Sequence, residues 1–167
     1  PSAEEKGTAF EMAEELIQIL EDIMEKNPNK FRLVKSPEEI TNDKDVMQVV
    51  YGMENGAPIE SKLSNIKLFS DMGINYITLA HSKSNHISDS SYDENKNWGG
   101  LSPFGREVVV EMNRQGVMID ISHVSDAAFY EVLRLSKTPV IASHSSLRHF
   151  VPGFERNVSD DMLRELA

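Results

Sequence analysis

Two short runs constrain this chain more than anything else in it: Gly116-Val-Met-Ile-Asp-Ile-Ser-His123 and Pro139-Val-Ile-Ala-Ser-His144. Each is apolar and β-branched, is preceded by a turn signal, and gives way to a polar segment. Such runs are too short for helices of their own, and between helical patterns they read as buried parallel strands. Both end on histidine. Strands joined by a helix run parallel, so the two imidazoles are expected at the same end of one sheet. In open α/β sheets and in barrels, ligands bind at the carboxyl ends of the strands.

The remainder of the chain repeats this grammar. Ser2 and Glu5 fit a capping box, and Phe10, Ala13, Leu16, Ile17, Leu20 and Met24 recur at helical spacing until Asn27-Pro28-Asn29. Phe31 to Val34 reads as a short strand, and Ser36-Pro37-Glu38-Glu39 as a helix start. Val46 to Met53 is the next apolar run and ends on Glu54. Ile59, Leu63, Ile66 and Leu68 or Phe69 suit a helix capped by Gly73. Ile74 to Ala80 reads as a strand ending on His81. Ser82 to Gly100 is a long polar loop carrying Tyr92 and the single tryptophan, Trp98. Helices are then expected after Ser102-Pro103, Ser125-Asp126 and Ser159-Asp160. Strand and helix alternating in this way predict a parallel α/β sheet in one domain, residues 1–167.

Composition narrows the chemistry. A net charge of −10 argues against nucleic acid, which needs a basic face. The chain has no cysteine, so a metal would be held by nitrogen and oxygen. No apolar run reaches the ~18 residues of a membrane span. The amino end, Pro1-Ser-Ala-Glu-Glu5, does not read as a signal peptide, and without an initiator Met the chain reads as part of something longer.

The four strand ends carry Glu54, His81, His123 and His144. Singly, a histidine after a buried strand is more often a hydrogen-bonded structural residue, and a glutamate there a helix N-terminal acid. Four in succession favour a site. Histidine with carboxylate and no thiolate suits zinc or another divalent ion with open coordination positions, and a carboxylate can bridge two such ions. Asp120, alternating within a buried strand, is either a partner that orients a ligand histidine or a satisfied core carboxylate. Arg156 is either a fork for a substrate carboxylate or a surface arginine. Tyr92 and Trp98 either wall a pocket or are ordinary surface aromatics. His86 and His149 read as solvated loop residues.

At these residues the chain resembles the renal or membrane dipeptidase family, zinc dipeptidases with an amidohydrolase-like (β/α)8 barrel. The likeness rests on Gly52-Met-Glu54-Asn-Gly56, on Gly73 to His81, on Gly100-Leu-Ser-Pro-Phe-Gly105, on Met112 to Ser125, on Pro139 to Ser146, and on Arg156-Asn157. It implies that Glu54 bridges two zinc ions, that His123 and His144 bind the second of them, and that His81 binds substrate and stabilises the oxyanion. It implies that Arg156 takes a dipeptide's carboxylate, and that a hydroxide between the metals attacks the peptide carbonyl. The family's first-strand His-x-Asp pair and its last-strand aspartate have no counterpart here. A complete barrel needs about 250 residues. The expectation is therefore a (β/α)8 TIM-like barrel in part, incomplete at both ends, and inactive as an isolated piece. Bare apolar strand edges would favour self-association into a homo-oligomer. The alternatives are another barrel amidohydrolase, acting on lactones or acyl-amino acids, and a non-catalytic α/β module. The family includes intracellular, exported and membrane-anchored members, so the likeness assigns no compartment.

Overall fold

The computed structural model describes residues 2–167. In chain order its elements begin with α1 (Ala3–Lys6), α2 (Ala9–Glu25), β1 (Phe31–Leu33), β2 (Met47–Val49) and β3 (Tyr51–Glu54). There follow α3 (Ser64–Met72), β4 (Ile74–Thr78), α4 (Pro103–Gln115), β5 (Met118–Asp120), α5 (Asp126–Leu135) and α6 (Asp160–Leu166). The expected parallel α/β architecture is present. β3, β4 and β5 form a parallel sheet in that order, and β1 and β2 pair in parallel as a separate two-stranded sheet.

Helix caps follow the sequence closely. Ser102, Ser125 and Ser159 each accept a backbone N–H three residues on, and Gly73 and Gly116 close α3 and α4. The Ser2–Glu5 capping box also forms, with Ser2 N donating to Glu5 Oε2 at 2.7 Å. It caps only one turn, however. Gly7 takes a left-handed φ of 67° and ends α1, so the expected single helix is two.

Three other expectations are corrected. Ser36 to Glu39 starts no α-helix: Pro37–Glu39 is a single 3-10 turn, because the following Ile40 is exposed and has no core to face. The run Val46 to Met53 is not one strand. It breaks at exposed Val50, with β2 pairing to β1 and β3 to β4. Ile59 lies in a second 3-10 turn, Ala57–Ile59, ahead of α3.

The second histidine run is not a strand either. It contributes one parallel bridge, Asp120 to Ile141, through Ile121 N donating to Ile141 O at 2.8 Å and Ile141 N to Ile119 O at 2.9 Å. The ladder stops there because side chains capture the next N–H groups. Ser143 N donates to Asp120 Oδ1 at 3.0 Å, and His144 N to Ser122 Oγ at 3.2 Å.

Cross-strand register then does the positioning. Glu54 pairs with Thr78, Thr78 with Asp120, and Asp120 with Ile141, one row across the sheet. His81, His123 and His144 each lie three residues beyond their member of that row. Behind the sheet, α3 packs on α4 and α4 on α5. They bury Ile66, Phe69, Val108, Val109, Met112, Ala128 and Val132 against Ile77 and Ile119. Beside β3, α2 sets the ring of Phe10 5.1 Å from that of Phe69 of α3 and buries Ala9 and Ile17, but leaves Met12, Leu16, Ile19, Leu20 and Ile23 exposed. An open groove of about 740 Å³ runs between α2 and β3. No helix among the described residues is long and apolar enough to cross a membrane.

Candidate metal centre

The row of paired residues delivers its side chains to one place. Glu54 Oε1 lies 3.1 Å from His123 Nε2 and 3.0 Å from His144 Nε2. The two imidazole nitrogens are 2.8 Å apart. All three residues offer ligand atoms within 4.8 Å of one another. His81 Nε2 is 3.3 Å from the same carboxylate oxygen, and its ring stands 4.4 Å from that of His123. The four expected side chains are therefore brought together.

The donor set fits a divalent ion. Lone pairs from two imidazoles and a carboxylate converge, which is unfavourable unless a proton or a cation sits among them. Tetrahedral zinc with bonds of about 2.0–2.1 Å separates its ligand atoms by roughly 3.3 Å. The observed separations of 2.8–3.1 Å are within a few tenths of that. His123 is buried and its pKa is pushed down to about 4. Burial is the largest cause, followed by the charges of Arg156, His81 and His144, with Glu54 opposing. At neutral pH its imidazole is uncharged, the form that ligates metals.

The backbone around these side chains is held in unusual conformations. His123 has φ 69° and Asn55, directly after Glu54, has φ 80°. Both are left-handed, a region non-glycine residues seldom occupy and which persists where neighbours enforce it. The enforcing neighbour is the polar loop after β4. Ser91 N donates to His123 O at 2.7 Å, Ser90 Oγ donates to His81 O, and Asn85 Nδ2 donates to Asn55 Oδ1 at 3.0 Å. The loop itself is tied to Asp89, fully buried, whose carboxylate accepts the N–H groups of Asn97, Trp98 and Gly100. A loop that reads as merely polar is thus a brace across three strand ends. Its Asp, Asn and Ser density, each residue able to satisfy local backbone groups, was the available signal.

Asp120 is a satisfied core carboxylate. It is completely buried, and its oxygens accept from Ser122 N and Ser143 N at 3.0 Å, from Thr78 Oγ1 at 2.5 Å and from Ser143 Oγ at 2.6 Å. Burial alone would raise its pKa, but these hydrogen bonds outweigh it and the net direction is down. Ser143 and Thr78 are site residues that periodicity could not reveal.

Arg156 sits beside the centre. Its Nη1 donates to Ser145 Oγ and its Nη2 to His144 O, both at 2.8 Å and both to neutral oxygens. Burial pushes its pKa down, against the fields of Tyr92, Asp120 and Glu54. Arg148 is spent differently, on a two-pronged pair with Asp126 and on the carbonyls of Glu155 and Asn157. Tyr92 flanks the centre, its ring 6.0 Å from that of His123 and 5.8 Å from that of Phe154. Trp98 donates its indole N–H to Asn85 O at 2.8 Å, within the loop. His149 is exposed as expected. His86 is half-buried, corrected from a solvated position by stacking on Phe104 at 5.5 Å.

Comparison with known proteins identifies the family. A family model for membrane dipeptidases, peptidase family M19, matches residues 1–167. The chain is 37% identical over 158 residues to Dipeptidase tcpJ of Claviceps purpurea, covering 90% of this chain and 36% of that protein. It is 36% identical over 163 residues to Dipeptidase 3 of Homo sapiens, covering 95% of this chain and 33% of that one. An amidohydrolase from Pseudomonas aeruginosa superposes with a TM-score of 0.87 at 30% identity, over 94% of this chain and 48% of the other. A metallopeptidase from Rhodobacter sphaeroides, solved with a phosphinate mimic of the dipeptide L-Ala-D-Ala, gives 0.78 at 26% identity, over 93% and 44%. The chain spans about a third of the length of these curated relatives. Its open sheet and flanking helices correspond to part of an amidohydrolase-like barrel, and the chain belongs to the membrane dipeptidase family, peptidase family M19.

Proposed function

We propose that this chain carries part of the active centre of a zinc dipeptidase, with Glu54, His123 and His144 as metal ligands. The observation that carries the reading is the convergence of those three donors within 4.8 Å, with His81 and Arg156 beside them. Zinc held there would supply a water molecule ionised near neutral pH and polarise the scissile carbonyl.

The chain's own residues do the rest. Glu54, half-exposed at the end of edge strand β3, would hold the metal together with His123 and His144. Completion of a second ion's shell calls for a His-x-Asp pair, and no such pair occurs in this sequence. His81, whose imidazole lies 3.3 Å from Glu54, would donate to the oxygen on which negative charge develops. Arg156 takes the substrate's free carboxylate with the guanidinium protons left over from Ser145 and His144. The Rhodobacter sphaeroides relative's phosphinate ligand, a dipeptide mimic, supports this substrate class. The 167 residues alone would bind metal weakly and turn over no dipeptide.

The test is hydrolysis of paired substrates by a full-length protein containing this chain, comparing free dipeptides with C-terminally amidated ones. The free forms are expected to be cleaved and the amidated forms spared. Arg156→Ala should lower kcat/KM on free dipeptides by about 10- to 150-fold, the value of a charged hydrogen bond. Equal cleavage of both forms would favour an amidohydrolase of another substrate class, such as lactones or acyl-amino acids. Loaded metal with no hydrolysis of either would favour a non-catalytic module.

A further inference from the structure

The two histidines of the centre differ in what stands behind them. His123 Nδ1 is buried without a hydrogen-bond partner. His144 Nδ1 instead meets Ser143 Oγ at 2.6 Å, and that same oxygen lies 2.6 Å from Asp120 Oδ2. We infer that Asp120, through the Ser143 hydroxyl, fixes the tautomer of His144 so that Nδ1 carries the proton and Nε2 presents its lone pair to the Glu54–His123 cluster. The inference rests on the metal-site reading for its purpose but not for its geometry.

The direction follows from counting protons. An ionised carboxylate only accepts, and Asp120 has four donors on its two oxygens: two backbone N–H groups and the Thr78 and Ser143 hydroxyls. A serine hydroxyl has one proton. Once Ser143 gives it to Asp120, the oxygen can only accept from His144, so Nδ1 must be the protonated nitrogen. Nε2 is then left with a lone pair, 3.0 Å from Glu54 Oε1 and 2.8 Å from His123 Nε2. Asp120 is too far to do this directly, at 3.8 Å from Nδ1, so the hydroxyl is the link. Ligand histidines are commonly oriented this way by a carboxylate or carbonyl, and loss of such a partner typically costs 10–100-fold in metal affinity. Thr78 and Ser122 serve the same carboxylate and the same turn. Thr78 adds a second hydroxyl to Oδ2, and Ser122 Oγ accepts His144 N at 3.2 Å. Ser143 and Asp120 are positioning residues, acting only through His144.

The experiment reads the tautomer in metal-free protein by nitrogen-15 NMR of the imidazole rings at mildly alkaline pH, with zinc titration as a separate arm. Wild type should show His144 protonated at Nδ1. Ser143→Ala should lose that preference and bind zinc about 10- to 100-fold more weakly, and Ser143→Thr should restore both. Asp120→Asn gives a sharper test. An amide NH2 placed at the Oδ2 position donates to Ser143, turns its hydroxyl toward His144, and should move the proton to Nε2. A wild-type His144 protonated at Nε2, or an Nδ1 proton unmoved in both Ser143→Ala and Asp120→Asn, overturns the inference. Tautomers that respond as stated in a protein that takes up no zinc uphold the relay and overturn the metal reading instead. Should Ser143→Ala fail to fold, the wild-type tautomer and Asp120→Asn still decide.

Discussion

At the scale of single residues, much of the site depends on side chains too small to coordinate anything. Gly105 is an instance. A Cβ there would lie 2.0 Å from the carbonyl oxygen of Ile87, in the loop that braces His81 and His123. That carbonyl also accepts Ser102 N at 2.9 Å, so helix α4 and the brace meet at this point. Gly105→Ala must displace backbone, and should cost about 1–3 kcal/mol or more, measured by chemical denaturation. An unchanged unfolding midpoint would contradict the close approach. The four converging side chains were legible in the sequence because Glu54, His81, His123 and His144 end short apolar runs and carry recognisable chemistry. Ser143, Thr78 and Ser90 were not. A serine's role depends on which donor or acceptor lies opposite it, and Thr78 meets Asp120 across 42 residues of chain.

At the scale of elements, the order and the caps were readable while two strand boundaries were not. Ser102, Ser125 and Ser159 announced their helices because an N-cap is a local hydrogen bond. The split between β2 and β3 depends on which neighbour each half finds, and nothing local to Val50 states that. The Pro139–His144 run has strand composition but only one bridge, since Asp120 and Ser122 take the N–H groups a ladder would use. The loop from residue 82 to 100 shows how polar sequence becomes rigid structure. Asp89→Asn keeps the shape but exchanges one acceptor oxygen for an NH2 facing backbone N–H donors. We expect a loss of about 1–3 kcal/mol in stability and faster amide exchange at Asn97, Trp98 and Gly100. Exchange rates equal to wild type at those amides would show that Asp89 does not anchor the loop.

At the scale of the whole molecule, the sheet has one bare side. β3 pairs with β4 alone among the described strands, and beside it α2 exposes Met12, Leu16, Ile19, Leu20 and Ile23, between 45% and 54% each. An unpaired edge next to a broad apolar face invites association. Light scattering of the 167-residue chain should show concentration-dependent self-association that Leu16→Glu with Leu20→Lys relieves; a monomer at every concentration would contradict this. The bare side adjoins the candidate metal centre, since Glu54 and Asn55 line the α2–β3 groove. In the proposed centre, Glu54, His123 and His144 surround a divalent cation. The most direct measurement is anomalous X-ray scattering from crystals grown with zinc, recorded on both sides of the zinc edge. The account predicts a peak bonded to Glu54 Oε1, His123 Nε2 and His144 Nε2 at about 2.0–2.2 Å. Zinc bound elsewhere on the molecule, with those three side chains free of it, would contradict the account.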